Sequence, residues 1–333
     1  MNRLCRLVIG LGLATVVVAG CSDAREARTA DTPAAAAAAA APPGTAKRPS
    51  ATPDVDPLAD RNVGPGLTAL APIRDGALVV VPIAADNPVR SSAYLTLDDG
   101  MRRGLVSVRE LPETDYGRLR IANRSESTLC VMAGEVVLDG HQDRAFAESL
   151  AHAPGARDDV TVRCVEPDRD DGPSRVFRSG NALVHAELRR EIVQGTQSSV
   201  WEEVRAYNRK REISNRTSTY KQAAAMQGKG EQRDWRARVL AQLAAVPERD
   251  RVVGVALALE GRLISVDTFA TPELYQAMEP KLLGSFVAQA VDAGREMRTP
   301  RPSEIRDLLA GARGSACGVS ALAAPPEDQT AAN

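Results

Sequence analysis

Aromatic side chains are scarce in this chain. Four Phe, two Trp and five Tyr make up 3% of its 333 residues. So few rings argue against a stacked groove for sugars or single-stranded nucleic acid. A surplus of either charge is also lacking. Lys and Arg total 42 against 43 Asp and Glu, a formal net charge of −1. That balance excludes a basic protein that coats nucleic acid, and no nucleic-acid partner is expected. No internal apolar run reaches the ~20 residues of a membrane span, so the sequence does not read as a polytopic membrane protein. Five Cys and three His are too few for a disulfide scaffold or a rich metal site. No metal ligand is assigned, and nothing in the composition names a cofactor.

What is present begins at the N-terminus. Arg3 and Arg6 form a positive stretch, and residues 7–19 are apolar but too short to cross a bilayer. Val18-Ala19-Gly20-Cys21 closes the segment and resembles a bacterial lipobox. The resemblance implies a signal peptide over residues 1–20, cleavage before Cys21, and acylation of the Cys21 thiol and the new amine. Acyl chains contribute about 0.8 kcal/mol per buried methylene, enough together to hold a protein on a membrane. The lipid bilayer is then a partner through Cys21. Ser22 follows the cysteine and Asp23 comes one place later. An Asp directly after the Cys favours the inner membrane in enterobacteria. The expected location is therefore the bacterial cell envelope, lipid-anchored, on the periplasmic face of the outer membrane.

Residues 21–61 hold an Ala run and six prolines but no aromatic. They read as a disordered tether, with a mean reach of about 35 Å if flexible. Residues 299–333 carry Gly311, Gly314, Gly318, Pro325 and Pro326 with little periodic pattern; they read as a disordered tail. All aromatics fall between Tyr94 and Phe286, so residues 62–298 are expected to form a single domain.

Within that region, residues 77–83 are a continuous β-branched run ending near Pro82, a buried strand. Strands are also expected at 94–97, 105–110, 117–122, 145–151 and 160–165, and at 129–132 and 136–138 around a turn at 133–135. Residues 96–103 read as a short helix closed by Gly104. Apolar spacing then turns helical over 182–194, 198–211 and 232–246. Residues 251–269 form a hairpin about Glu260-Gly261. Thr271-Pro272 caps a final helix, restarted at Pro280. The expected fold is α+β: a β-rich N-terminal half, then helices, then a terminal hairpin plus helix.

The densest polar signature lies between Gly134 and Arg169. Alternation puts Gln142 with Arg144 on one strand face and Cys164 with Glu166 on another. If these faces meet, Arg144 and Arg169 could grip a phosphate or carboxylate, Gln142 could bind a hydroxyl, and Glu135 and Glu166 could serve as catalytic acid and base. The competing arrangement is a Glu–Arg network that braces the turn against the sheet.

The stretch Gly134-Glu135-Val136-Val137-Leu138-Asp139-Gly140-His141-Gln142-Asp143-Arg144, followed by Cys164-Val165-Glu166 and Arg169, resembles the ARG and Rhodanese-Phosphatase-superfamily-associated protein domain family. Further landmarks fit in order: Leu188-Arg189, Gln197, Val200-Trp201, Val253-Gly254 and Val266-Asp267-Thr268-Phe269. The likeness covers most of residues 65–292. Arg169 is kept, whereas the Trp of the family's Gly-Arg-Trp is not. The family's name records association with ADP-ribosylglycohydrolase and phosphatase-like domains. It implies a nucleotide-like ligand, ADP-ribose or another NAD-derived or phosphorylated molecule, bound at Glu135, Gln142, Arg144, Glu166 and Arg169. The alternative is a non-catalytic envelope interaction or structural module in which the same residues brace the fold.

Among weaker features, Cys130 and Cys164 could pair in an oxidising envelope or stay as buried thiols, with Cys317 incidental. His141, His152 and His185 lack metal-ligand spacing. Arg209-Lys210-Arg211 suits a solvated helix end. Gly228-Lys229-Gly230 lacks the phosphate-loop spacing.

Overall fold

The longest wholly buried strand, Val252–Leu259, lies at the middle of the largest sheet and organises the molecule around it. The computed structural model describes residues 61–113, 115–169, 174–290, 298–312 and 314–324. The expected signal peptide, Cys21, all but the last residue of the tether, and residues 325–333 lie outside the described residues. No helix among the described residues is long and apolar enough to cross a membrane.

The first part of the chain is β-rich. It runs through β1 (Asn62–Gly64), β2 (Leu67–Ala69), β3 (Ile73–Asp75), β4 (Leu78–Ala85), β5 (Tyr94–Thr96), α1 (Leu97–Arg102), β6 (Val106–Arg109) and β7 (Arg118–Asn123). There follow β8 (Thr128–Val131), β9 (Glu135–Asp139), β10 (Arg144–Phe146), β11 (Leu150–His152), β12 (Arg157–Cys164) and β13 (Phe177–Leu183). Helices come next: α2 (Ala186–Gln194), α3 (Gln197–Lys210), α4 (Lys221–Met226) and α5 (Gly230–Ala244). The hairpin β14 (Val252–Leu259) and β15 (Arg262–Phe269) leads to α6 (Pro272–Ala290), then α7 (Pro302–Ala310), β16 (Gly314–Ser315) and β17 (Gly318–Leu322). This is the α+β order expected from the sequence.

The strands form three sheets. The largest runs β1-β2-β4-β14-β15-β17-β16, with β3 also on β4. Pro82 sits inside β4 rather than at its end. β3 pairs with Leu78–Val80 and β2 with Ile83–Ala85. The missing proline donor therefore falls where one partner strand hands over to the next. At the hairpin turn Glu260 and Gly261 both take positive φ, 50° and 74°, the conformation a two-residue turn of this type requires.

Both faces of this sheet are covered. Leu78, Val80, Val255 and Leu257 pack against Trp235, Val239 and Leu243 of α5 and Met278, Leu282 and Phe286 of α6. Val79, Val81, Ala256 and Val266 pack against Ile305 of α7. A strand buried on both faces needs apolar residues at every position, which is why β14 is buried throughout.

Two expectations for the C-terminal part are corrected here. Residues 299–312 and 314–324 are not a patternless tail: β16 and β17 extend the large sheet and α7 packs on its face. Burying Ile305 alone contributes about 1.5–3 kcal/mol. The glycines that obscured the pattern are turn and edge positions; a Cβ at Gly318 would meet Thr268 O at 2.0 Å. Likewise α6 runs unbroken through Pro280. The expected strand at 145–151 is two strands, since β10 joins the second sheet and β11 the third. β13 and α4 had no counterpart in the sequence pattern.

The cysteine pairing is also corrected. Cys130 bonds to Cys317, 187 residues away, and Cys164 is a free buried thiol. The partner of Cys130 lies in the segment read as tail, and the bond ties β8 to the turn before β17.

The second sheet runs β13-β9-β10-β12-β7-β6 and the third β11-β8-β5. Leu119, Ile121, Val137, Phe146 and Val162 of the second pack with Leu129 and Val131 of the third and Leu97 of α1. On its other side, Val136, Leu138 and Ala182 meet Leu188, Ile192, Val200 and Val204 of α2 and α3. The end of this layer, where the start of β10 and the end of β12 meet α3, carries the polar signature.

Candidate functional site

The site is built on the connection from β9 to β10. Asp139 and Gly140 both take left-handed conformations, φ 76° and 64°. A Cβ on Gly140 would meet the Phe177 ring at 2.3 Å, so only glycine fits there. The His141 amide then donates to Glu110 Oε1 at 3.1 Å. β10 pairs antiparallel with β12 and sets Arg144 directly opposite Cys164.

Glu166, just past β12, is enclosed by donors. Its Oε2 accepts from the Asp143 amide at 3.0 Å and Arg169 Nη2 at 2.6 Å, and its Oε1 from Thr217 at 2.6 Å. Burial raises its pKa, but these hydrogen bonds outweigh burial and leave the carboxyl below its usual value. Asp143 moves the other way. Burial and the Glu166 charge raise it, against a hydrogen bond from Thr219. Arg169 also reaches Gly140 O at 3.4 Å. Together these bonds lock the 139–144 connection to the 166–169 turn and to residues 217–219.

A solvent-open cleft of about 640 Å³ lies beside this lock, lined by Gln142, Arg163, Cys164, Arg169 and, from α3, Gln197 and Trp201, with Tyr116 at its edge. Gln197 accepts from the Cys164 amide and donates to its carbonyl, both at 2.9 Å, like an added strand residue. Trp201 follows one helical turn later on the same face. Several donors here have no hydrogen-bond partner among the described residues: Trp201 Nε1, Arg163 Nε, and Nε and Nη2 of Arg144. Arg144 is fully buried behind the cleft wall. It donates through Nη1 to Gln142 Oε1 at 3.1 Å and sits 5.7 Å from the Tyr116 ring centre. Burial raises the Cys164 thiol pKa, opposed in part by the Arg144 charge.

Four of the five residues selected from the sequence therefore come together: Gln142, Arg144, Glu166 and Arg169. Glu135 does not join them. Its carboxylate accepts from the Met132 amide at 2.6 Å and pairs with Lys281 of α6, which also pairs with Asp98 of α1. Two carboxylates sharing one buried ammonium favour proton retention: burial pushes Glu135 up, while the two negative charges overcome burial and hold Lys281 protonated. The proposed acid–base pair of Glu135 and Glu166 is thus not assembled. Alternation along β9 puts Glu135 on the face opposite Val136 and Leu138, which pack against α2 and α3, and there it meets Lys281 of α6.

Residues missed as site candidates are Tyr116, Arg163, Gln197, Trp201 and Glu110. Gln197 and Trp201 carried a usable signal, their four-residue spacing on one helix. Tyr116 and Glu110 lie in a distant loop and at a strand end, where no local pattern marks them.

The site is thus a donor-lined cleft at the ends of two interior strands, β10 and β12, of an α+β domain. The chain belongs to the ARG and Rhodanese-Phosphatase-superfamily-associated Protein domain family, whose profile matches residues 66–322. The match extends through β17, in agreement with the corrected C-terminal boundary. Neither a curated protein nor a solved structure matches the chain significantly.

Proposed function

We propose that the cleft binds a phosphorylated, nucleotide-like small molecule, ADP-ribose or an NAD-derived relative, on a domain anchored to the bacterial envelope through acylated Cys21. One observation carries the binding reading. The cleft wall gathers Arg163 and Trp201, each with a buried N–H lacking a partner among the described residues, beside the Arg169 guanidinium. A buried donor without an acceptor is costly, so an oxyanion ligand that supplies acceptors is favoured. The indole offers a face for a base or ribose. Gln142 and Gln197 are spent on protein partners and shape the wall.

The role is binding rather than acid–base chemistry, because the Glu135 and Glu166 carboxylates are both committed to bracing. That same commitment favours, as second reading, a structural or interaction module without small-molecule activity. Calorimetry of the full chain in detergent with ADP-ribose, NAD and pyrophosphate separates the two. Micromolar to millimolar binding is expected; absence of heat with all three at millimolar concentration rejects the binding reading.

The anchor is supported by the residues 1–21 signal, and export to an oxidising compartment by the Cys130–Cys317 disulfide. Labelled palmitate should enter the wild-type chain and not Cys21→Ser. Equal labelling of both would remove the anchor.

A further inference from the structure

We infer that the ligand presents a two-oxygen anion, a phosphoryl or carboxylate group, to the side-on fork of Arg144, deep behind the cleft wall. The inference rests on the binding reading above and names the group that enters deepest. Nε and Nη2 of a guanidinium point the same way and match two oxygens in a plane. In Arg144 these two are the nitrogens without a partner among the described residues, while Nη1 is held by Gln142. The side chain is 0% exposed.

Arg189, the other arginine buried to this degree among the described residues, shows what a completed fork looks like. Its Nε donates to Ala133 O at 2.9 Å, and Nη1 and Nη2 grip Asp267 at 3.2 and 2.9 Å. Nothing comparable closes Arg144. A buried acid beside the same connection, Glu110, is tied to the His141 amide by Oε1, and its Oε2 has no partner among the described residues either. A guanidinium fork and a lone carboxylate oxygen, both held close to the 140–144 connection, suit an anion that also bears a hydroxyl. A phosphate monoester has both features and a carboxylate only the first.

Access runs past Tyr116. Three residues that line the cleft touch or oppose Arg144: Gln142 by hydrogen bond, Cys164 by strand register and Tyr116 by its ring. Tyr116 is 45% exposed, so a change of its rotamer uncovers the guanidinium without disturbing the sheet.

The test uses the full chain in detergent and reads Trp201 fluorescence, with Trp235 in the core as a constant background. ADP-ribose, ribose 5-phosphate and succinate are titrated in turn; the last two separate phosphoryl from carboxylate recognition. Arg144→Lys keeps the charge and loses the fork. It should weaken binding of the best probe about tenfold or more while the melting temperature moves by no more than about 3 °C. Unchanged affinity in Arg144→Lys, with affinity lost in Arg163→Gln, overturns the Arg144 assignment and leaves the cleft reading standing. No response of the wild-type chain to any probe overturns both. Should Arg144→Lys fail to fold, wild-type crystals soaked in ribose 5-phosphate decide the matter. Two ligand oxygens on Arg144 Nε and Nη2 support the assignment; a phosphate held only by Arg163 or Arg169 rejects it.

Discussion

Lys281 and Arg144 are both buried cations among acidic and polar groups, and their surroundings are finished to different degrees. Around Lys281 the arrangement is closed: one ammonium meets the carboxylates of Glu135 and Asp98, and the second Glu135 oxygen is taken by a backbone amide. Around Arg144 it is open: one nitrogen is held and two are not. Both sites bear the desolvation cost of a buried charge. Only the first recovers it within the protein. The difference teaches how to divide polar signatures by role. A closed network ties elements together, here α1, β9 and α6. An open one leaves part of its bonding capacity for a visitor.

The comparison can be broken most forcefully at Lys281. Lys281→Met strips the buried Glu135 and the partly buried Asp98 of their counter-charge and should cost about 3–5 kcal/mol in urea denaturation, with ligand binding in the surviving folded fraction unchanged. A loss below about 1 kcal/mol would mean that the network is not closed. Next in size is the staple beside it. Cys130→Ser with Cys317→Ser should cost about 2–5 kcal/mol, because the bond spans 187 residues and holds the last strand to the third sheet. Equal stability of the oxidised and reduced wild-type chain rejects that expectation.

Glu166 provides a third test, through pH. Its folded carboxyl lies below the usual value, so its contribution is present above about pH 4.3 and disappears as pH falls through the lower folded value. Asp143, raised in the fold, has the opposite sign: it favours the folded state at acid pH and less so as pH rises past its ordinary value. Glu166→Gln should therefore cost about 1–2 kcal/mol at neutral pH, and the gap from wild type should shrink toward pH 3. A gap independent of pH would contradict the assignment of the shift to this carboxylate. The smallest effect is expected at Arg144. Arg144→Met removes a poorly satisfied charge and should change stability by no more than about 1 kcal/mol while abolishing oxyanion binding. A loss of 3 kcal/mol or more would show that the fork is satisfied inside the protein.

Much of this was readable in the chain before it folded. Alternation marked β6 and β7, Gly104 marked the end of α1, the Thr271 cap marked α6, and Glu260-Gly261 marked the hairpin turn. The constellation was also readable, as a dense run of Gln142, Arg144, Glu166 and Arg169. Its division was not. Glu135 stands seven residues from Gln142, yet one strand reversal turns it to a different helix. Cys317 looked incidental because its partner is 187 residues away, and α7 was hidden by the glycines around it. Trp201 and Tyr116 reach the cleft from elements whose own patterns speak only of helix and loop.

From the sequence alone came many of the local elements, the α+β order and the family, because periodicity, caps and turn residues act over a few positions and need no tertiary partner. The tertiary structure decided which polar residues are closed and which are open. Whether a buried guanidinium finds acceptors depends on which strands and helices meet around it, and those contacts join residues separated by tens to hundreds of positions. On that ground Glu135 belongs to the framework, while Arg144, behind the cleft wall, keeps two nitrogens without a partner among the described residues.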